Sequence, residues 1–455
     1  MGITSISTQT SYAEQVGKIN LHKMKTDPAP QSTGLFATYT LLLLLLANVI
    51  NYADRALLGI VVEPIRKELL LSDTEISIIS GFAFSLFFLL AGIAIARWVD
   101  RGNRKIILVV GVAIWSLATA ATGYAQGFYS LAACRMFVGI GEAVVFPVAM
   151  SLLADLYPGP KLTRTVSIFQ ASSGIGIMLG SVLAGVLAAA LGWRTMFEVF
   201  GIAGIVFVLL VALTLRPVAR TTAPEAAGAD GGLINAIRRV LALPGLLWLA
   251  LGYGASNMVL ASLPVWSPAY LQRSHGVQLA EVGALVGPPA VLGGIAGGIF
   301  AGLLATRLIQ RSGNRWAGLI VPIVALPLAV PAYAAFLFAP TLPMVLVAIA
   351  VMNFFLSSGL GPCVALAMSL VPASQRGVTS TIMLIVQNLL AFAIGPLLIG
   401  LVSDALKPTY GEEALRYALA MMLVAPLIAS LLLWNARRRI SIGGSAEVIQ
   451  ANNAP

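Results

Sequence analysis

The sequence predicts an all-α polytopic membrane protein with twelve transmembrane helices in two six-helix pseudo-repeats. Composition is the first observation behind this prediction: 58% of the 455 residues are hydrophobic, 10% are charged and the mean hydropathy is +0.91. Soluble domains carry about 25% charged residues. The low charge content therefore excludes an ordinary soluble enzyme, a nucleic-acid-binding protein and a disordered chain.

Long apolar runs are the second observation, because a membrane-spanning helix needs about 20 mostly apolar residues. The sequence contains twelve such runs, at 36–62, 75–96, 105–125, 128–154, 164–190, 196–215, 244–271, 280–305, 317–337, 341–369, 377–403 and 414–434. They divide the chain into an N-terminal segment 1–35, a bundle 36–215, an inter-bundle loop 216–243, a second bundle 244–435 and a tail 436–455.

Basic residues determine the predicted orientation, since cytoplasmic loops of membrane proteins are rich in Lys and Arg. With the N-terminus inside, twenty of the 28 Lys and Arg residues lie in cytoplasmic segments, six in external segments and two within helices. The sequence therefore predicts that both termini and the 216–243 loop face the cytoplasm of a bacterial inner membrane.

The two halves repeat short patterns at matching places. The fourth run contains Ala149-Met150-Ser151-Leu152 and the tenth contains Ala367-Met368-Ser369-Leu370. The loop before the third run contains Asn103-Arg104, and the loop before the ninth contains Asn314-Arg315. A duplicated bundle with a site between its halves is typical of alternating-access carriers.

Four ionisable residues, Asp54, Arg55, Arg135 and Glu142, lie within the predicted spans. Such a residue costs at least about 2.5 kcal/mol on insertion scales, which makes it a functional candidate. Arg135 and Glu142 are seven residues apart and share a helix face, about 10 Å apart along the axis. An alternative is that Asp54–Arg55 and Arg135–Glu142 are static ion pairs that hold helices together.

A guanidinium group fits phosphate or carboxylate, so we predict that Arg135, together with Arg55, binds an anionic headgroup. Asp54 and Glu142 are the predicted proton-coupling residues. A nearby arginine favours the charged form of a carboxyl group. A carboxylate whose arginine is drawn to the substrate would therefore take up a proton more readily. Substrate binding and proton uptake are coupled in this way.

Several motifs resemble a known family. Ala96-Arg97-Trp98-Val99-Asp100-Arg101-Gly102-Asn103-Arg104-Lys105 is similar to the signature loop of the major facilitator superfamily, with Ala96 in place of its first glycine. Asn51-Tyr52-Ala53-Asp54-Arg55, Trp115-Ser116 and Gly139-Ile140-Gly141-Glu142-Ala143 resemble the Spinster branch. The resemblance covers roughly residues 40–435. It implies the superfamily fold, secondary active transport, and lysophospholipids or sphingoid phosphates as substrates.

The second bundle supplies no charged residue at membrane depth, only polar side chains among apolar ones. With Asn51 of the first bundle, the predicted substrate-binding set therefore includes Tyr253, Asn257, Asn353 and Asn388. A site charged on one wall and apolar on the other suits an amphiphilic anion, so we predict its proton-coupled transport. A proton-coupled small organic anion symporter and a multidrug efflux carrier of the same superfamily remain alternatives.

Asp100, Arg101 and Arg104, in the loop between the second and third spans, are predicted gating residues. No role is predicted for Asp404, which lies near a helix end. We predict no enzyme activity, no cofactor and no metal, because no nucleophile–base pair or ligand-spaced histidine is found. The expected partners are a small amphiphilic substrate, protons and membrane lipids, but not nucleic acid. We expect the protein to act as a monomer.

Overall fold

The computed structural model describes residues 34–218, 238–372 and 375–452. The long helices of the first half are Gly34–Ile60, Asp73–Arg101, Arg104–Thr122, Phe128–Leu156 and Pro160–Thr214. Those of the second half are Leu246–His275, Leu279–Ser312, Arg315–Phe338, Leu342–Ser369 and Arg376–Ile442. A short helix, Val62–Glu68, connects the first two long helices.

Ten described stretches are long and apolar enough to cross a membrane, and two of them are long enough to cross twice. Pro160–Thr214 is broken at Gly192, whose φ is 83°. The last stretch turns at Gly411, whose φ is 55°. Glycine adopts positive φ without the steric cost that other residues incur. Divided at these two turns, the ten stretches give the twelve predicted helices, which are numbered here in chain order.

The internal repeat is visible in the geometry. The fourth helix is interrupted between Glu142 and Val145, and the tenth by a 3₁₀ turn at Ser357–Gly359. Near the ends of these helices, Arg104 Nη1 donates to the carbonyl oxygen of Ser151 at 3.2 Å, and Arg315 Nη1 to that of Ser369 at 2.8 Å. The sequence patterns thus correspond to equivalent contacts in the two halves.

The halves pack most intimately at one end of the bundle, the end that carries the loop Val61–Ser72; we call it the sealed end. One apolar core there includes Ile60 and Trp193 of the first half and Tyr270 of the second. A Cβ atom at Gly59 would overlap the carbonyl oxygen of Pro264 across this interface. Towards the opposite end, the first half has a separate apolar core around Trp115 and Phe169. We call that opposite end the basic end.

Some predicted boundaries differ from the observed ones. The twelfth helix continues to Asn452 rather than ending near residue 435, because the polar residues after the apolar run are compatible with a helix and contain no proline. Most of the predicted segments 1–35 and 216–243 lie outside the described residues.

Candidate functional site

The four membrane-embedded ionisable residues come together inside the first half, where we call them the inner cluster. Asp54 and Arg55 lie on the first helix, Arg135 and Glu142 on the fourth. Arg135 Nη1 lies 3.6 Å from Asp54 Oδ2, and Arg55 Nε lies 2.6 Å from Glu142 Oε2. Each ion pair therefore joins the first helix to the fourth, unlike the two pairings considered from the sequence.

Asp54 has two further neighbours, Thr119 and Glu142. The hydroxyl group of Thr119, on the third helix, donates to Asp54 Oδ1 at 2.7 Å. The carboxyl group of Glu142 is a second neighbour, close enough for the two acids to interact electrostatically. This pair of acids lies beside the two arginines of the inner cluster.

Arg55 lies among aromatic rings. Its guanidinium carbon is 4.9 Å from the ring centroid of Tyr52, 5.2 Å from that of Phe84 and 4.8 Å from that of Phe88. Cation–π attraction strengthens when the cation is desolvated. The Arg55 side chain nevertheless keeps 25% of its surface exposed, whereas that of Glu142 is fully buried.

The inner cluster contains polar atoms whose hydrogen-bonding capacity is unused. Arg135 Nε and Nη2, Asp54 Oδ2, Glu142 Oε1 and Asn51 Nδ2 are buried without a hydrogen-bond partner. Such atoms are rare in folded proteins and require an explanation. Arg135, Asp54 and Glu142 are 4%, 3% and 2% exposed, so in this conformation Arg55 is the member of the inner cluster that reaches a surface.

Three of the four predicted polar residues of the second half are satisfied by their own helices. The amides of Asn257, Asn353 and Asn388 donate to the carbonyl oxygens four residues earlier, at 2.7, 2.8 and 2.9 Å. Tyr253 contacts Gln387 on the eleventh helix. Among the described residues, no hydrogen bond or ion pair joins these four side chains to the inner cluster.

A second charged cluster, the sealed-end network, joins the two halves. Arg273, at the end of the seventh helix, donates from Nη1 and Nη2 to the two carboxylate oxygens of Asp73, at 2.8 Å each. Its Nε donates to Glu63 Oε2 at 2.7 Å. The side chains of Arg273, Glu63 and Asp73 are 4%, 4% and 1% exposed. A bidentate, desolvated pair of this kind is among the strongest polar contacts.

The same network extends along the eleventh helix. Asp404 accepts hydrogen bonds from the backbone amides of Asp73 and Thr74 at 3.0 and 2.7 Å, at the start of the second helix. A carboxylate at that position satisfies free amides and complements the helix dipole. Ser403 donates to Asp73 Oδ2 at 2.6 Å. The prediction that Asp404 has no role was wrong, because the helix start that it caps belongs to the other half.

Glu63 lies between two arginines, outside the spanning helices. Burial disfavours its charged form, but Arg66 and Arg273 outweigh that effect and hold the pKa of Glu63 below its ordinary value of 4.5. Arg66 Nη2 donates to Glu63 Oε1 at 2.7 Å and lies 3.3 Å from Glu412 Oε2 of the second half. The network is therefore ionised at neutral pH.

The predicted gating residues lie at the basic end. Arg104 forms an ion pair with Asp155, and both side chains are nearly buried. Asp100 and Arg101 are exposed. Sequence reasoning missed Asp155 and the sealed-end network. A signal was present, because the loop that carries Arg66 also carries Glu63 and Glu68 and is followed directly by Asp73.

Comparisons with known proteins identify the family of the chain. The family model of the Major Facilitator Superfamily matches residues 44–333. An "MFS-type efflux pump" of Mycolicibacterium smegmatis is 31% identical over 401 residues, which are 87% of this chain and 91% of that protein. A "Probable L-galactonate transporter" of Escherichia coli is 30% identical over 284 residues, 60% of this chain and 62% of that protein.

The fold matches a solved structure of a bacterial homolog of the human lysosomal transporter Spinster, described as inward-facing and unoccupied. The TM-score is 0.81 at 26% identity, over 90% of this chain and 98% of that one. Family model, relatives and fold therefore agree: the chain is a multi-pass membrane transporter that belongs to the Major Facilitator Superfamily and has a Spinster-like fold.

Proposed function

We propose that this transporter moves an amphiphilic anion, a lysophospholipid or a sphingoid phosphate, by alternating access coupled to protons. The observation that carries the proposal is the inner cluster, in which two acids and two arginines are buried within spanning helices while Arg55 keeps an exposed edge. A guanidinium group presents donors in a fork that matches phosphate oxygens. Arg55 makes the first contact with the headgroup, and Arg135 contributes its two unpaired N–H groups.

The second half supports an apolar tail on the substrate. Asn257, Asn353 and Asn388 already donate to their own helices. Among the described residues, the fully buried charged residues belong to the first half. A polyhydroxylated sugar acid needs hydrogen bonds on every side, since buried polar groups without partners are costly. A hydrocarbon chain has no such requirement.

Proton coupling runs through Asp54 and Glu142. When the headgroup draws Arg55 away from Glu142, the carboxyl pair loses a positive neighbour and takes up a proton, because a nearby cation favours the charged form. Thr119 holds Asp54 in place during this change. Binding of the substrate therefore increases the affinity for the proton, and binding of the proton increases the affinity for the substrate.

The basic loops support an orientation with both termini in the cytoplasm of a bacterial inner membrane and the sealed end outside. The transporter acts as a monomer. Asp100, Arg101 and Arg104 control closure at the basic end. A second candidate function is that of a multidrug efflux carrier, favoured by the 31% identical efflux pump, which matches over most of both chains.

The test is uptake of a labelled lysophospholipid by proteoliposomes, with and without a pH gradient. Arg55→Ala and Arg135→Ala should lose binding at least tenfold, since each removes charge-assisted hydrogen bonds of about 1.5–3 kcal/mol. Asp54→Asn and Glu142→Gln should transport without responding to the gradient.

The matched controls are Arg311→Ala and Glu281→Gln, which remove exposed charges of the second half and should leave both readouts unchanged. Wild-type uptake in all four cluster variants would refute the assigned site. Uptake of a labelled sugar acid in preference to the lysolipid would refute the substrate class while leaving the site intact.

A further inference from the structure

The basic end of the first half contains a pocket that neither the inner cluster nor the sealed-end network uses. Its volume is about 280 Å³, and it is formed by the loop between the second and third helices together with the segment that follows the sixth. The volume lies near the lower limit of the range of about 300–1,000 Å³ found for small-ligand pockets.

Local hydrogen bonds give this pocket a fixed shape. The side chain of Asn103 caps the third helix by accepting from the amides of Lys105 and Ile106, at 3.0 and 3.4 Å. Arg104 Nη2 donates to the carbonyl oxygen of Val218 at 2.7 Å, which ties the segment after the sixth helix to the loop. The pocket is thus built from two parts of the chain that are bonded to each other.

Four cationic side chains line the pocket: Arg101, Arg104, Lys105 and Arg216. Among the residues that the structure describes, Asp155 is the acidic side chain that pairs with one of them, Arg104. The acids that the structure describes form no ion pair with Arg101, Lys105 or Arg216, so three positive charges share a small space lined by no acidic side chain. Like charges at such proximity repel each other, and a bound anion would relieve that repulsion.

The surroundings of the pocket are those of a membrane interface. Trp98, 48% exposed, packs against the pocket-lining Gly102. Ile106 and Leu213, which flank pocket residues in the chain, are 53% and 82% exposed. Tryptophan is enriched where lipid headgroups meet acyl chains, and basic pockets on the cytoplasmic side of spanning helices bind anionic lipid headgroups.

We propose that this pocket binds a phosphate group, held by Arg101, Lys105 and Arg216. The exposed apolar side chains beside it favour a phospholipid headgroup as the source of that phosphate, with the acyl chains lying along Trp98, Ile106 and Leu213. Arg104 also lines the pocket but is not assigned to the phosphate, since its charge is already balanced by Asp155.

The test measures binding of phosphatidylglycerol, phosphatidylcholine and inorganic phosphate to the full chain by native mass spectrometry in neutral detergent. Phosphatidylglycerol should bind at least tenfold more tightly than phosphatidylcholine. The double variant Lys105→Ala/Arg216→Ala should lose at least tenfold of that affinity, because it removes two charge-assisted contacts. The variant Lys105→Arg/Arg216→Lys, which keeps the charges, should bind like the wild type and shows that loss of binding is not misfolding.

Arg307→Ala/Arg311→Ala is the matched control, because it removes two exposed charges from the end of the eighth helix, at the equivalent place in the second half. Phosphate that displaces phosphatidylglycerol supports the same site, and phosphate binding without lipid preference identifies the free anion as the ligand. Absence of binding by lipid and phosphate, or an equal loss in the control, would overturn the proposal.

Discussion

The inner cluster and the sealed-end network use the same residue types for different purposes. The inner pairs, Arg135–Asp54 and Arg55–Glu142, both lie within the first half. The sealed-end pairs, Arg273–Asp73 and Arg273–Glu63, both join one half to the other. Separation of the halves therefore breaks the second set and leaves the first intact.

The inner cluster and the sealed-end network also differ in how fully their arginines are hydrogen-bonded. Arg273 uses all three terminal donor positions, on Asp73 and Glu63. Arg135 leaves Nε and Nη2 without partners. A fully bonded network stabilises one conformation, whereas an incompletely bonded one retains capacity for a ligand or a proton. We infer that the sealed-end network holds the closed state and that the inner cluster carries out the exchange.

The largest effect is expected from Arg273→Ala, which leaves Glu63 and Asp73 buried without their cation. Breaking a buried ion pair in this way costs about 3–5 kcal/mol, so the sealed end should open. The distance between spin labels at Leu70→Cys and Thr409→Cys, with Cys134 and Cys363 replaced by alanine, reports the opening. An unchanged distance distribution would show that the network does not hold the halves together.

Glu142→Gln should have a large effect on transport and none on that distance. The variant weakens the contact with Arg55, which lies within one half. Gradient-driven uptake should fall at least tenfold, while the spin-label distance stays at its wild-type value. A change in both readouts would mean that the two clusters are not separate.

Acid should weaken the sealed end within a defined range. The pKa of Glu63 is lowered in the closed state, so the open state binds its proton more readily. The stabilisation is present above the ordinary value of 4.5 and is lost as the pH falls through the lowered pKa. The spin-label distance should be constant between pH 8 and 6, about two units above that range, and lengthen only in stronger acid. Glu63→Gln should reduce that pH dependence, and Asp73, the other buried acid that pairs with Arg273, should account for the remainder.

The smallest effect is expected from Arg194→Ala. Arg194 also lies at the sealed end, but its partner Glu68 belongs to the same half and both side chains are partly exposed, at 35% and 48%. Exposed pairs contribute at most about 1 kcal/mol. The distance should not change, and a shift as large as that in Arg273→Ala would indicate a non-specific loss of packing.

The sequence predicted the helices well because the bilayer imposes a length and a composition on each of them. The presence of Asp54, Arg55, Arg135 and Glu142 within spans marked them as candidates for the same reason. Their pairing was not predictable, since it depends on how the first and fourth helices are rotated against each other. Helix spacing placed Arg135 and Glu142 on one face but did not reveal that each contacts the first helix.

The sealed-end network was missed for a different reason. Glu63, Asp73 and Arg273 lie at helix ends, where a solvated charge costs little, so each residue alone carries no signal. Arg273 is about 200 residues from its partners in the chain, and only the packing of the halves brings them together. Desolvation by that packing gives the network its strength.

Proton uptake on substrate binding tests the central claim most directly. The measurement adds a lysophospholipid to the wild type in lipid nanodiscs in weak buffer near neutral pH and follows pH with a dye. We expect the medium to become more alkaline, by up to one proton per bound ligand, and Asp54→Asn/Glu142→Gln to bind ligand without this change. Ligand binding with no proton uptake by the wild type would contradict the account.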